Sequence, residues 1–185
     1  MQLVWLRNDL RIADNPALNY ACKTGDSCCV FVINPEQWTV HNEAAIKLDF
    51  IFRRLQSLQV ELSALNIPLK VITAANYQEV PETLLNFASS IGVTGLWFNY
   101  EYPLNESLRD EAVTTAFSSA AIETHSFHGD VFHQPGTVKT QSDTIYHVFT
   151  PFARQWKKQL TEALMTPLNA PNKQNEISIS GDDIT

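Results

Sequence analysis

A chain of 185 residues has room for one ordinary domain and a tail, and hardly for two. Its 44% hydrophobic content, with ten Phe, five Tyr and four Trp, excludes a disordered or low-complexity polymer. Its formal charge of −7 argues against a domain that grips nucleic acid unaided, because neutralising phosphates takes a basic face.

The first apolar run, Leu3-Val4-Trp5-Leu6, predicts a strand buried on both faces. It is too short for a signal segment and gives way at once to Arg7, Asn8 and Asp9. Asn15-Pro16-Ala17-Leu18 predicts a helix start, with Asn15 as N-cap and Pro16 at the first helical position. Cys28-Cys29-Val30-Phe31-Val32-Ile33 reads as a second strand, stopped by Asn34-Pro35. Leu48, Ile51, Leu55, Leu58, Leu62 and Leu65 then form one apolar stripe of a long helix. Leu69-Lys70-Val71-Ile72 is a third strand. Val80, Leu84, Phe87 and Ile91 repeat the helical spacing, and Gly92 closes that helix. Gly95-Leu96-Trp97-Phe98 is a fourth strand, a helix follows from about Glu106 to Ser119, and Ile122 to Phe127 is a fifth strand.

Strands alternating with helices predict right-handed crossovers. The expected fold is α/β: a doubly wound, Rossmann-like domain with about five parallel strands and helices on both faces. Its core spans residues 1–130. Residues 131–164 read as an irregular connector and a final helix from Val148 to about Leu164, with Pro151 near its start. Residues 165–185 read as a linker-like tail with little to bury.

Cys22, Cys28 and Cys29 are odd in number and lack metal-ligand spacing, which points to reduced thiols rather than disulfides or zinc. No run approaches the ~20 apolar residues of a membrane span. The expectation is a cytoplasmic protein with no membrane partner and no metal site.

GxGxxG and GxxxxGK[ST] are both missing, which argues against a plain NAD-binding domain and a P-loop NTPase. The sheet type still locates a crevice beyond the carboxyl ends of the strands, where strand order reverses. Two segments would face it: Arg7 to Arg11, and Asn99 to Glu106. The first is either an anion clamp or an internal ion-pair network in which Asp9 satisfies Arg7 or Arg11. In the second, Asn105 is either a helix cap, with Ser107 and Asp110 spaced as a capping box, or part of a site with Glu106. An ionised Glu106 suits a ligand with two adjacent N–H donors. His41 lies near Trp38 at the same predicted face.

Val4-Trp5-Leu6-Arg7-Asn8-Asp9-Leu10-Arg11, followed by Asp14-Asn15-Pro16-Ala17-Leu18, resembles the opening signature of the DNA photolyase/cryptochrome family. Pro135-Gly136-Thr137-Val138 is similar to the family's segment after the fifth strand. Tyr146-His147-Val148-Phe149-Thr150-Pro151-Phe152, with Trp156, resembles its Tyr-x-Val-Phe-Thr-Pro-Phe block. The likeness covers residues 3–164. Leu6 stands where the family usually has Phe, and Ala153 where Lys is common.

The resemblance implies an N-terminal light-harvesting domain of a deoxyribodipyrimidine photolyase. It implies a second, helical C-terminal domain that binds FAD and damaged DNA, so that no catalytic residue is expected in this chain. Residues 165–185 would then begin the interdomain linker. Residues 99–110 look most like bacterial folate-type enzymes, which implies a 5,10-methenyltetrahydrofolate antenna bound by Asn105, Glu106 and His41. The alternatives are a deazaflavin in the crevice, a cryptochrome-type photoreceptor, and a free-standing nucleotide-binding module of similar fold.

Overall fold

The least polar segments of the chain become the middle of its sheet. A computed structural model describes residues 1–184, and Thr185 lies outside it. The strands are β1 (Gln2–Leu6), β2 (Ser27–Ile33), β3 (Leu69–Thr73), β4 (Gly95–Asn99) and β5 (Glu123–Phe127). The helices are α1 (Pro16–Thr24), α2 (Pro35–Val40), α3 (Ala45–Ala64), α4 (Val80–Ser90), α5 (Leu104–Ser119), α6 (Phe149–Lys158) and α7 (Glu162–Met165). All strand pairs are parallel, in the order β3-β2-β1-β4-β5. This is the expected doubly wound α/β fold, with the switch in strand order between β1 and β4.

Side chains alternate between two cores, as the pleat requires. Leu3 and Trp5 join Val30, Leu84, Phe98 and Phe117 under α4 and α5. Val4 and Leu6 join Leu18, Phe31, Leu55 and Leu58 under α1 and α3. The Asn15 side chain accepts a hydrogen bond from Leu18 N at 3.2 Å, so the start of α1 is capped as its sequence indicates. Gly92 takes φ +68° just past α4, a left-handed turn that glycine adopts without strain.

Four local features differ from the sequence reading. Pro35 does not merely stop β2; it occupies the first turn of the short helix α2, where a missing N–H costs nothing. Helix α5 starts at Leu104 with Pro103 at its cap position, so Asn105 lies inside the first turn and is not the cap. Ser107 forms no capping box with Asp110; its hydroxyl donates to the Glu101 carbonyl at 3.3 Å. The final helix ends at Lys158, and α7 restarts with Thr161 accepting from Leu164 N at 3.3 Å.

The tail buries more than its composition suggests. Gln174 bonds both backbone groups of Ser27, accepting from its N–H at 2.8 Å and donating to its carbonyl at 2.9 Å. Ile179 packs on the first core and Ile184 on the second. Between them Asp182 covers the free edge of β3: its N–H donates to Leu69 O at 2.9 Å, and its carboxylate accepts from Val71 N at 2.8 Å and pairs with Lys70. Tail residues thus supply partners that an edge strand otherwise offers to another chain. Replacing Asp182 by Ala is expected to cost about 1–2 kcal/mol and lower the melting temperature by roughly 2–6 °C. Asp183→Ala, at an exposed neighbour, should change stability by less than about 0.5 kcal/mol. Calorimetry of both variants checks the difference.

Candidate functional site

Strand β1 delivers Arg7 to the switch point, and α5 delivers Arg109 and Asp110 to the same place. All three are buried. The Arg7 guanidinium donates to Asp110 Oδ1 at 3.0 Å and to the Asn99 carbonyl. Arg109 donates to Glu101 Oε2 at 2.7 Å and to the same Asp110 Oδ1 at 2.8 Å. Both guanidinium groups flank the Trp5 ring, with their carbons 4.4 and 4.7 Å from its centroid. Burial alone would lower the pKa of Arg109, but Asp110 and Glu101 carry it above the ordinary value. Burial pushes the Asp110 carboxyl up, against the opposite pull of Arg7 and Arg109.

These four groups neutralise one another, so Arg7 is no free anion clamp. The internal-network reading of its loop holds, but with other partners than expected. Asp9 pairs with neither arginine side chain. It accepts from the Arg7 N–H at 2.8 Å and from the Asn99 amide at 2.5 Å, and Asn15 completes the lock. Arg11 points away, donating to Gly129 O at 2.9 Å and pairing with Asp130.

The network fills the crevice. What remains is a cavity of about 90 Å³ bordered by Arg7, Trp38, His41, Tyr77, Glu106 and Arg109. A second, outer cleft of about 360 Å³ is lined by Gln37, His41, Tyr77, Asn105, Leu108 and Arg109. His41 caps the C-terminus of α2, while Asn105 and Glu106 stand in the first turn of α5. The fold brings these three residues together: Asn105 Nδ2 lies 3.4 Å from His41 Nε2, and Glu106 accepts from the Tyr77 hydroxyl at 3.1 Å. The Tyr77 ring stands edge-on to His41 at 6.4 Å.

Sequence reasoning missed Gln37, Tyr77 and Arg109. Gln37 reaches His41 Nε2 at 2.7 Å from one turn earlier in α2, a helix that was itself not foreseen. Tyr77 follows β3, so the rule that ligands lie beyond strand carboxyl ends could have flagged it. Arg109 gave no local signal, because its partners are set by tertiary packing. Among the described residues, no group of three or more His, Cys, Asp or Glu is placed to hold a metal ion. No helix among them is long and apolar enough to cross a membrane.

A five-stranded, all-parallel, doubly wound sheet with this switch point defines a Rossmann-like α/β domain. The chain belongs to the DNA photolyase family, whose profile matches residues 2–172. It is 38% identical to a deoxyribodipyrimidine photo-lyase of Vibrio cholerae over 157 residues, covering 84% of this chain and 34% of that protein. It is 34% identical to the Escherichia coli deoxyribodipyrimidine photo-lyase over 179 residues, covering 96% of this chain and 38% of that one. A bacterial class III photolyase from Agrobacterium tumefaciens has the same fold, with a TM-score of 0.74 at 22% identity, over 99% of this chain and 37% of that structure. The chain therefore spans little more than a third of the length of these relatives.

The charge cluster sets a stability prediction. Replacing Arg109 by Leu leaves Glu101 and Asp110 short of a partner, and should cost about 3–5 kcal/mol. Arg11→Leu removes a part-exposed pair and should cost under about 1 kcal/mol. Urea unfolding of the two variants measures the contrast.

Proposed function

We propose that this chain is the N-terminal light-harvesting domain of a deoxyribodipyrimidine photolyase, and that 5,10-methenyltetrahydrofolate binds at its outer cleft, against the adjoining face that carries Glu106. The face where two adjoining cavities meet carries the reading: His41, Tyr77 and Arg109 border both, Glu106 borders the inner one and Asn105 the outer. Cofactor sites usually span roughly 300–1,000 Å³. The outer cleft, at about 360 Å³, meets that size, and the crevice, at about 90 Å³, does not. This counts against a deazaflavin in the crevice; a cleft of about 620 Å³ beside Arg11 and His128 also has the size, so the choice of the His41–Asn105 face rests on its donor set.

The donor set suits a pterin. Glu106 accepts hydrogen bonds, which matches the amino group and adjacent ring N–H of that ring system. Glu106 borders the inner cavity and Asn105 lines the outer cleft, while His41 borders both and adds an imidazole. Bound folate would absorb near-ultraviolet light and pass the excitation on to a flavin. FAD and the damaged DNA would be held by a second, helical domain, in keeping with the share of the relatives that this chain covers. The chain's own part is to bind and orient the antenna. The three free thiols, with Cys28 and Cys29 buried, fit a reducing cytoplasm; burial pushes Cys28 up to about 12, so it is inert as a nucleophile.

Glu106→Ala in the full-length protein should weaken folate binding roughly 10- to 100-fold, the span expected for a lost charged hydrogen-bond acceptor. The check is the near-ultraviolet folate absorbance of the purified protein, scaled to its flavin content. Full folate retention in that variant would overturn the site.

A further inference from the structure

Glu106 lies half-buried in the first turn of α5, where its carboxylate has several orientations open to it. One contact selects among them. The Tyr77 hydroxyl donates to Glu106 Oε1 at 3.1 Å, from the loop between β3 and α4. Tyr77 is itself held on two sides. The Arg109 guanidinium carbon sits 4.6 Å from its ring centroid, and the His41 ring meets it edge-on at 6.4 Å. Arg109 is fixed in turn by Glu101 and Asp110. Burial raises the Tyr77 phenol, Arg109 opposes the rise, and Glu106 adds to it. The hydroxyl therefore keeps its proton at neutral pH and stays a donor.

We propose that Tyr77, which borders both cavities, is the positioning residue of this site, holding Glu106 at the inner one so that its carboxylate meets a ligand edge with two adjacent N–H donors. The inference rests on the folate reading of the cleft. An ionised carboxylate offers about four lone-pair positions. Tyr77 uses one, and those left suffice for an amino group and a neighbouring ring N–H. A flavin-type edge places a carbonyl on each side of its single N–H. Two acceptors would then face a carboxylate that can only accept. The Tyr77–Glu106 pair thus selects amino-pyrimidinone rings over diones, because a polar group left facing its own kind loses its hydrogen bond.

The test is a double-mutant cycle on the full-length protein, titrated with 5,10-methenyltetrahydrofolate. Tyr77→Phe keeps the ring against Arg109 and His41 and removes only the hydroxyl. It should weaken folate roughly fivefold and leave the melting temperature within about 2 °C of the parent. The near-ultraviolet band of the remaining bound folate should move toward that of free folate, because a loosely held ring sees more water. Combined with Glu106→Ala, Tyr77→Phe should cause no further loss, since its effect passes through that carboxylate. Wild-type affinity in Tyr77→Phe, where Glu106→Ala has lost folate, overturns the positioning role. So does a double variant in which the two losses add. Folate retained by Glu106→Ala alone is a separate result, which overturns the folate reading and this inference with it.

Discussion

Two arginines share one tryptophan at the centre of this domain, and their two carboxylate partners decide what the crevice can hold. Arg7 arrives on β1, Arg109 and Asp110 on α5, and Glu101 on the loop that follows β4. Arg7, Arg109 and Asp110 are buried and Glu101 is mostly so, which makes loss of any one partner costly to the rest. The cluster binds the two sides of the strand-order switch to each other. A pocket that this fold class usually leaves open for a ligand is here built from protein charges.

That closure moves the binding chemistry outward. With the crevice reduced to about 90 Å³, the nearest cofactor-sized space is the cleft between α2, the β3–α4 loop and α5. Arg109 borders both spaces and Tyr77 lies against it. The same side chain that plugs the inner site therefore supports the wall of the outer one. Rigid support of this kind matters for a weakly enclosed cleft, since ordering a loose wall on binding would subtract from affinity.

The framework was legible because local signals and tertiary demand agree. Asn15-Pro16 caps α1 and Gly92 ends α4 through chemistry confined to a few neighbours. The apolar runs of β1, β2 and β4 leave no alternative to a buried parallel sheet. The first turn of α5 was misread because Asn105 is a good cap in isolation, yet Pro103 sets the turn two residues earlier. The tail was misread for a different reason. Its value lies in Gln174 and Asp182 finding unpaired backbone groups at Ser27, Leu69 and Val71, and no window of sequence shows an unpaired strand edge. The sheet rule placed His41, Asn105 and Glu106 at the strand-end face and family likeness gave them a folate role, whereas neither flagged Gln37, Tyr77 and Arg109, which hold them in place.

The charge distribution bears on where DNA would be met. Residues 61–125 carry eight acidic groups and two basic ones. Glu101 and Asp110 are spent on Arg7 and Arg109, and Glu61 on Arg54, whose hydrogen bond holds it below the usual carboxylate range. Glu79, Glu82, Glu111 and Glu123 remain on the exposed surface of that half. Buried charge that is paired contributes little to the outer field, while exposed carboxylates repel phosphate across roughly a Debye length. The surface of this half therefore turns a polyanion away. An acidic surface of this kind is no docking face for a duplex, which agrees with the charge argument drawn from the sequence.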